Sequence, residues 1–327
     1  MTAIITGSTA NAAKLADFYG IENVYDYAGY DAALTSGAFD VVYIGLPNSL
    51  HADFAIRAAN NGIHALVEKP LAVSIEECEA MIAAAEAGGA LLMTAYRLHC
   101  EPGTVEVLRL IREGAIGVPR YFSSIFSFQA ARSDHRLKAE HWSGPLQDIG
   151  VYCVNVARHV FSTEPVEAIA MRGHGDDPRF GEVEETISAT LRFPGDALAT
   201  FTVSFNAAEI DMYRVVGTEG DIEMSPGFRF ETPTRMVLRQ GKKVTEKTFP
   251  DIDQFGAQIA YFSDCIRAGV RPEADGGEGL ADVRALLAIE TAARTGQPQK
   301  IDTPPRPGHP KPDMVRLIER TERRLVL

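Results

Sequence analysis

The run Asp40–Leu46 (DVVYIGL) is apolar after its first residue, does not alternate, and is stopped by Pro47. Such a run describes a strand covered on both faces, which confines the chain to architectures with a buried parallel sheet. Its surroundings agree. A helix is expected from about Ser49 to Asn60, with Leu50, Phe54 and Ala58 on one stripe and Gly62 closing it. Ile63–Val67 reads as the next strand. Ser74 with Glu77 makes a capping box for a helix ending near Gly88, and Ala90–Tyr96 is a further strand. Upstream, Thr2–Thr6 and Val24–Tyr27 are short strands on either side of a helix that Ser8 or Thr9 caps and Gly20 ends. Strands separated by helices in this way predict an α/β, doubly wound parallel sheet.

The pattern changes after Gly117. Tyr121–Phe128, Glu184–Phe193, Ala197–Asn206, Tyr213–Gly217 and Arg235–Arg239 read as strands punctuated by glycine turns. Leu146–Phe161, Gln254–Ala268 and Gly279–Thr295 read as helices, and Gln129–Ser143 as a polar loop. The expected organisation is a dinucleotide-type domain over residues 1–97 and an α+β domain with a mainly antiparallel open sheet over 98–302. A Pro-rich tail with a charged helix, Asp313–Arg324, follows over 303–327. A sheet covered on one side needs a partner on the other, so a homodimer or homotetramer through that sheet is expected.

Of 327 residues, 44 are acidic and 32 basic, a net charge of −12. That balance excludes a protein that holds nucleic acid or an anionic membrane by bulk charge. No apolar run is long enough to span a bilayer. Cys78, Cys100, Cys153 and Cys265 lie far apart and form no CxxC, as expected of reduced thiols in a cytoplasmic protein. His99 beside Cys100, and His135 six residues before His141, offer no ligand spacing, so no metal is expected.

In a doubly wound sheet, ligands sit outside the carboxyl ends of the strands. Leu46–His51, Glu68-Lys69-Pro70 and Ala95-Tyr96-Arg97 are such ends. A charged pair directly before proline at the end of a buried strand is unusual for a core edge, although a solvated ion pair is the plain reading. Pro70 stiffens the turn and holds Lys69 in one direction. Asp148 and Tyr152, four apart on a helix, share a face. A lysine, an aspartate and a phenol together provide proton handling for an alcohol–carbonyl pair, while a nicotinamide takes the hydride.

These residues resemble the glucose–fructose oxidoreductase / inositol dehydrogenase family. VVYIGLPNSLHADFAIRAANNGIHALVEKP is similar to that family's strand–helix–strand block, with EKP its most recognisable motif. DIGVYCVNVARHVF resembles its Asp-Gly-x-Tyr helix. EVEETISATLRF, RVVGTEGDIEM and the QFGAQIAYFSDCIRAGVRP to AART stretch also fit. NSLHA, the YDY at 25–27 and Tyr152, where many relatives have His, bring it nearest the glucose–fructose oxidoreductase branch. The resemblance covers about residues 2–300. It implies a Rossmann-type fold and an NAD(P)-dependent oxidoreductase acting on a sugar or polyol. A non-catalytic sugar- or nucleotide-sensing protein on the same fold is the alternative. By the same resemblance Lys69 orients the substrate hydroxyl, Tyr152 passes the proton and Asp148 positions the sugar. Leu46, Pro47, Asn48 and His51 border the dinucleotide, Glu68 lies near the nicotinamide ribose, and Tyr96 and Arg97 line the cleft.

Two departures accompany it. The family's glycine-rich run before Asp148 reads Trp142-Ser-Gly-Pro-Leu-Gln here. Members also open with a strand and a G-x-G-x-x-G turn that receives the pyrophosphate at a helix N-terminus. Here Ala3–Thr6 corresponds to the second strand, so one βα unit, on the order of 25–35 residues, is absent from the chain as given. A break beside the missing central strand is expected, and so is a biological start upstream of Met1. An acid at the end of the second strand favours NAD. Thr6-Gly7-Ser8-Thr9 is neutral and hydroxyl-rich, which points to NADP with NAD possible, and places Thr6, Gly7 and Ser8 at the cofactor.

Overall fold

The computed structural model describes residues 1–306 and 308–321. Parallel strands come first: β1 (Ala3–Ile5), β2 (Asn23–Tyr25), β3 (Val41–Ile44), β4 (His64–Val67) and β5 (Leu92–Thr94). Between them run α1 (Thr9–Tyr19), α2 (Tyr30–Leu34), α3 (His51–Asn60) and α4 (Ile75–Gly88). β1 pairs only with β2, and β3-β4-β5 form a separate sheet. The expected break in the parallel sheet is therefore present among the described residues.

α3 buries His51, Ala52, Ala55, Ala58 and Ala59 rather than the expected stripe. Leu50 is exposed, and Phe54 turns to the rings of Tyr27 and Tyr30. The alanine face allows α4 to approach closely. A Cβ on Gly88 would stand 1.9 Å from the Ala59 carbonyl oxygen, so only glycine fits there. The Ser74 hydroxyl caps α4 through the Glu77 N–H at 3.1 Å, but Glu77 reaches back to the Val73 N–H, one residue short of the reciprocal box.

After α5 (Pro102–Arg112), the strands β6 (Pro119–Gln129), β7 (Glu167–Gly173), β8 (Thr186–Arg192), β9 (Leu198–Ser204), β10 (Asn206–Gly217), β11 (Asp221–Met224), β12 (Arg235–Gln240) and β13 (Lys243–Thr248) build a second sheet. With β14 (Gln299–Lys300) its order is β13-β12-β11-β10-β6-β9-β8-β7-β14, and β6–β9 is its parallel pair. The inner face buries Phe122, Phe126, Phe201, Val203, Ile187 and Leu191 against α6 (Val151–Phe161) and the core, each burial stabilising by ~1.5–3 kcal/mol. The outer face carries Tyr121, Ile125, Leu198, Ile169 and Met171 among Ser and Thr side chains.

α7 (Gln254–Ala268) is followed by the long α8 (Gly276–Thr295), which belongs to both cores: Val283 to the first, Leu286 and Ile289 to the second. A Cβ on Gly279 would meet Thr94 Oγ1 at 2.5 Å and Leu71 Cβ at 2.6 Å, so glycine lets α8 lie directly on β5. The expected helix after Asp313 is not formed over the described residues. One 3-10 turn (Pro312–Met314) leads to extended chain in which Glu319 bridges to Ile252. Residues 322–324 of that expectation lie outside the described residues. The tail crosses the body instead: Arg112 donates to the Pro310 carbonyl at 2.8 Å, and Arg306 to Asp275 at 2.8 Å. Polar side-chain anchors hold it where a helix would need an apolar face.

Candidate active site

The parallel register sets Ile44 beside Val67 and Val67 beside Thr94. The three strand ends, Gly45–Asn48, Glu68–Lys69 and Ala95–Arg97, therefore emerge side by side. The cleft beyond the first two has a volume of about 180 Å³ and is lined by Gly45, Leu46, Asn48, Glu68, Lys69, His135, Arg136, Ser143 and Asp148.

The Lys69 ammonium donates to Asp148 twice, to Oδ1 and to the main-chain carbonyl, both at 2.9 Å. An ammonium has three N–H groups, so one remains for a substrate oxygen. Burial opposes the charge on Lys69 most strongly, but Asp148 together with Tyr152 and Glu68 outweighs it and holds the ammonium above its ordinary value. Burial likewise opposes ionisation of Asp148, and Lys69 and Arg136 together hold it below the usual carboxylate range. The second Asp148 oxygen lies 3.1 Å from Arg136 Nε. Asp148 is thus fixed between two cations, and Lys69 stays protonated.

The helix bearing these groups is not regular. Leu146–Gly150 winds as a π turn before α6 begins, a device common at functional sites. The Asp148–Tyr152 pair still faces Lys69 as the four-residue spacing predicts, with Lys69 Nζ 5.2 Å from the Tyr152 ring centre. Arg97 Cζ lies 4.8 Å from that ring centre and 5.1 Å from the Phe230 ring. Its guanidinium is buried and donates to Gln254 Oε1 and the Phe228 carbonyl, each at 2.5 Å. Asp211 in turn accepts from the main-chain N–H groups of Gly227 and Phe228, fixing that loop. Arg97 therefore touches Tyr152 with its Nε left without a partner, and it is not among the residues that line this opening.

Other expected residues divide. Leu46 and Asn48 line the cleft, and Pro47 joins them; Asn48 Nδ2 donates to the Trp142 carbonyl at 2.9 Å. Glu68 also lines it, held by the Tyr43 hydroxyl through Oε1, while its Oε2 accepts from the Lys69 N–H at 3.2 Å. His51 does not reach the cleft. It is fully buried, with its ring nitrogens 3.0 Å from the Pro70 carbonyl and 2.9 Å from the Leu46 carbonyl, so it braces the two loops from behind. Tyr96 also misses the cleft. It is buried and stacked on His99, where the chain leaves β5 and enters the 3-10 turn Arg97–Cys100. Thr6, Gly7 and Ser8 stand at the end of β1, outside the residues that line this cleft.

Three residues escaped the sequence reading. Tyr43 was hidden in an apolar run, although period-two alternation sets it with Val41 on the less buried face. Arg136 lies in a loop without periodicity. Trp142 has a left-handed backbone (φ 48°) and donates from Nε1 to Glu290 at 3.1 Å, which shapes the loop expected to be glycine-rich. Burial pushes the thiols of Cys78, Cys100 and Cys153 up to about 12, so none is a nucleophile at neutral pH.

A nicotinamide ring and its ribose fit this cleft chemically: a buried ammonium, a carboxylate and an amide converge on a strand-end opening. The phosphate half finds less. The turn after β1 offers one glycine, and a Cβ there would already stand 3.0 Å from the Tyr27 ring. Among the described residues no glycine-rich turn precedes a helix in the first domain.

The chain is similar to known proteins over most of its length. Residues 1–96 match a family described as "Oxidoreductase family, NAD-binding Rossmann fold", and residues 104–223 match "GFO/IDH/MocA C-terminal domain". The chain is 32% identical to a D-xylose 1-dehydrogenase (NADP(+)) of Haloferax volcanii, over 92% of this chain and 91% of that protein. It is 31% identical to the D-xylose 1-dehydrogenase [NADP(+)] of Haloarcula marismortui, over 92% and 86%. A crystal structure of the aldose-aldose oxidoreductase from Caulobacter crescentus, complexed with glycerol, superposes with a TM-score of 0.87 at 34% identity, covering 92% of this chain and 91% of that one.

Proposed function

The chain belongs to the GFO/IDH/MocA family of oxidoreductases, and we propose that it oxidises a free aldose at C1 with NADP. It is an NAD(P)-dependent sugar oxidoreductase; the aldose, the carbon and the preference for NADP are the finer reading. The observation that carries this reading is the Lys69–Asp148 pair beside Tyr152 at the strand-end cleft.

A nicotinamide held at this cleft would supply the hydride acceptor. This chain's own residues handle the oxygen that loses a proton. Lys69 points its remaining N–H at the sugar O1 and stabilises the negative charge that builds there. Because Lys69 stays an ammonium, it is not the base. The O1 proton passes to the Tyr152 oxygen, and loss of hydride and proton turns the hemiacetal into a lactone. Tyr152 takes up that proton as a phenolate, whose negative charge the cations Lys69 and Arg97 beside its ring offset. Asp148 fixes Lys69, and its own second oxygen is fixed by Arg136. Leu46, Pro47, Asn48 and Glu68 border the nicotinamide ribose, and Thr6 to Ser8 meet the adenosine end.

Two further readings rest on the same fold. Four buried cysteines without a disulfide suit the cytoplasm. The exposed Tyr121, Ile125, Ile169, Met171 and Leu198 suit a homodimer or homotetramer through the outer sheet face, burying over about 1,000 Å² per interface. A monomer by light scattering at micromolar concentration contradicts that assembly, and a disulfide found in protein from its native cells contradicts the compartment. For the reaction, a panel of aldoses is offered with NADP and with NAD. Lactone formation from an aldose with NADP supports the proposal. Turnover confined to polyols, or to NAD, overturns it.

A further inference from the structure

Behind Tyr152 the same helix enters a closed charged cluster. Asn155, Arg158 and His159 of α6 meet His99 from the turn after β5, and Glu278 and Asp282 from the first turns of α8. Glu164, Glu273 and Arg306 complete it, and His309 of the tail lies against His159. All but the tail residues are nearly or wholly removed from solvent.

Hydrogen-bond inventory determines the proton positions here. Asn155 Nδ2 donates to Glu278 and to Asp282, at 2.8 and 2.9 Å, so its Oδ1 is the atom facing His99. His99 Nε2, 2.8 Å away, must therefore carry a hydrogen. By the same reasoning His159 Nε2, 3.0 Å from Glu278, is a donor. In each neutral ring Nδ1 is then a bare lone pair. His99 Nδ1 faces Glu273 Oε2 at 2.7 Å, and His159 Nδ1 faces His309 Nδ1 at 3.1 Å. A neutral His99 would set a lone pair against the Glu273 carboxylate at that distance, so either a proton on Nδ1 or a metal ion stands between the two. A histidine whose other ring nitrogen donates to a carboxylate or amide oxygen is also the arrangement that supports metal ligands.

Two more observations point the same way. Glu273 Oε1 is buried and has no hydrogen-bond partner. Glu164, Glu278 and Asp282 meet the guanidiniums Arg158 and Arg306 while Glu273 faces His99, so with neutral histidines these four carboxylates exceed the two guanidiniums by two charges. One donor atom each from His99, His159 and Glu273 lies within 4.8 Å of the other two.

We propose that His99, His159 and Glu273 form a closed structural site for one divalent transition-metal ion of the zinc class, with His309 able to complete a four-coordinate shell. Zinc bonds of about 2.0–2.2 Å need ligand atoms roughly 3.3 Å apart, so His99 and Glu273 separate by about 0.6 Å on loading. Because the ligands are buried, no position opens to a substrate. The ion ties the turn after β5, the helix that carries Tyr152, and the tail into one unit. The competing way to balance the same charge is by protons, on His99 and on Asp282.

The test is metal content of the full chain, produced with zinc in the medium and purified without chelator. The expected result is about one equivalent per chain that survives dialysis, and a melting temperature about 5 °C or more lower after refolding in chelator. Refolding with cobalt(II) should give the visible absorption of a four-coordinate site, lost in Glu273→Gln and retained in Lys69→Ala. A wild-type chain that is metal-free, and whose melting does not respond to zinc on refolding, overturns the proposal in favour of protons. That wild-type measurement decides the matter even if Glu273→Gln fails to fold.

Discussion

Helix α6 and the π turn before it carry two ion clusters of opposite character. At the cleft end Lys69 commits two N–H groups and keeps one, and the side chains of Lys69 and Asp148 remain 10% and 17% exposed. At the inner end every N–H direction of the Arg158 guanidinium meets a carboxylate: Glu164 from Nε and Nη2, Glu278 from Nη1 and Nη2, Asp282 from Nη1. Arg158 is 2% exposed and Glu278 not at all. Leftover hydrogen-bonding capacity beside an opening is what chemistry can use. A guanidinium with none left, sealed from water, holds elements together.

That contrast breaks first at Lys69. Lys69→Ala should lower kcat/KM for sugar oxidation by about 10²–10⁴-fold. Its melting temperature should stay near that of the wild type, because Arg136 still pairs with Asp148. An equal loss of stability and turnover would mean that the cleft cluster is structural as well.

Arg158→Leu should do the reverse. Removing one partner strands buried carboxylates and should cost about 3–5 kcal/mol in urea unfolding, while turnover per folded molecule stays near wild type. A variant as stable as the wild type would show that the inner cluster does not bear on the fold.

Arg97→Lys should have an intermediate effect. A lysine keeps charge but loses the planar fork that meets Gln254, the Phe228 carbonyl and the Tyr152 ring together. We expect kcat to fall roughly 10-fold with KM nearly unchanged, because the residue acts through Tyr152. A change in KM alone would return Arg97 to the substrate.

The smallest effect concerns pH. A carboxylate held below its ordinary value stabilises the fold above its unfolded pKa, and the contribution vanishes as pH falls through the depressed native value. An ammonium held above its ordinary value contributes below its unfolded pKa, and the contribution vanishes as pH rises through the raised native value. Asp148 is the first case and Lys69 the second. Between about pH 5 and 9 both groups are charged whether folded or unfolded. The stability difference between wild type and Lys69→Ala should therefore be flat across that window, to within about 0.5 kcal/mol. A slope there would show that another group titrates with the pair.

The parallel strands and the strand-end lysine were legible in the sequence because continuous apolar runs and a charge at a buried edge are local signals. The break in the sheet was expected from the family resemblance, in which Ala3–Thr6 corresponds to the second strand. What required the fold was orientation. Tyr96 and Arg97 are neighbours, yet one stacks on His99 and the other on Tyr152. His51 has the composition of a ligand-binding residue and acts as a brace between carbonyls. Arg136 comes to Asp148 from a loop whose path no periodicity describes. Ligand spacing along the chain compared His99 with Cys100, whereas folding sets it against Glu273, far away in sequence.

The proposed reaction turns on the Tyr152 oxygen as carrier of the substrate proton. Its most direct test is kcat/KM of Tyr152→Phe for an aldose with NADP. A fall of about 10²–10⁴-fold, with the fold intact by circular dichroism, is the predicted result. Turnover near that of the wild type would contradict the account.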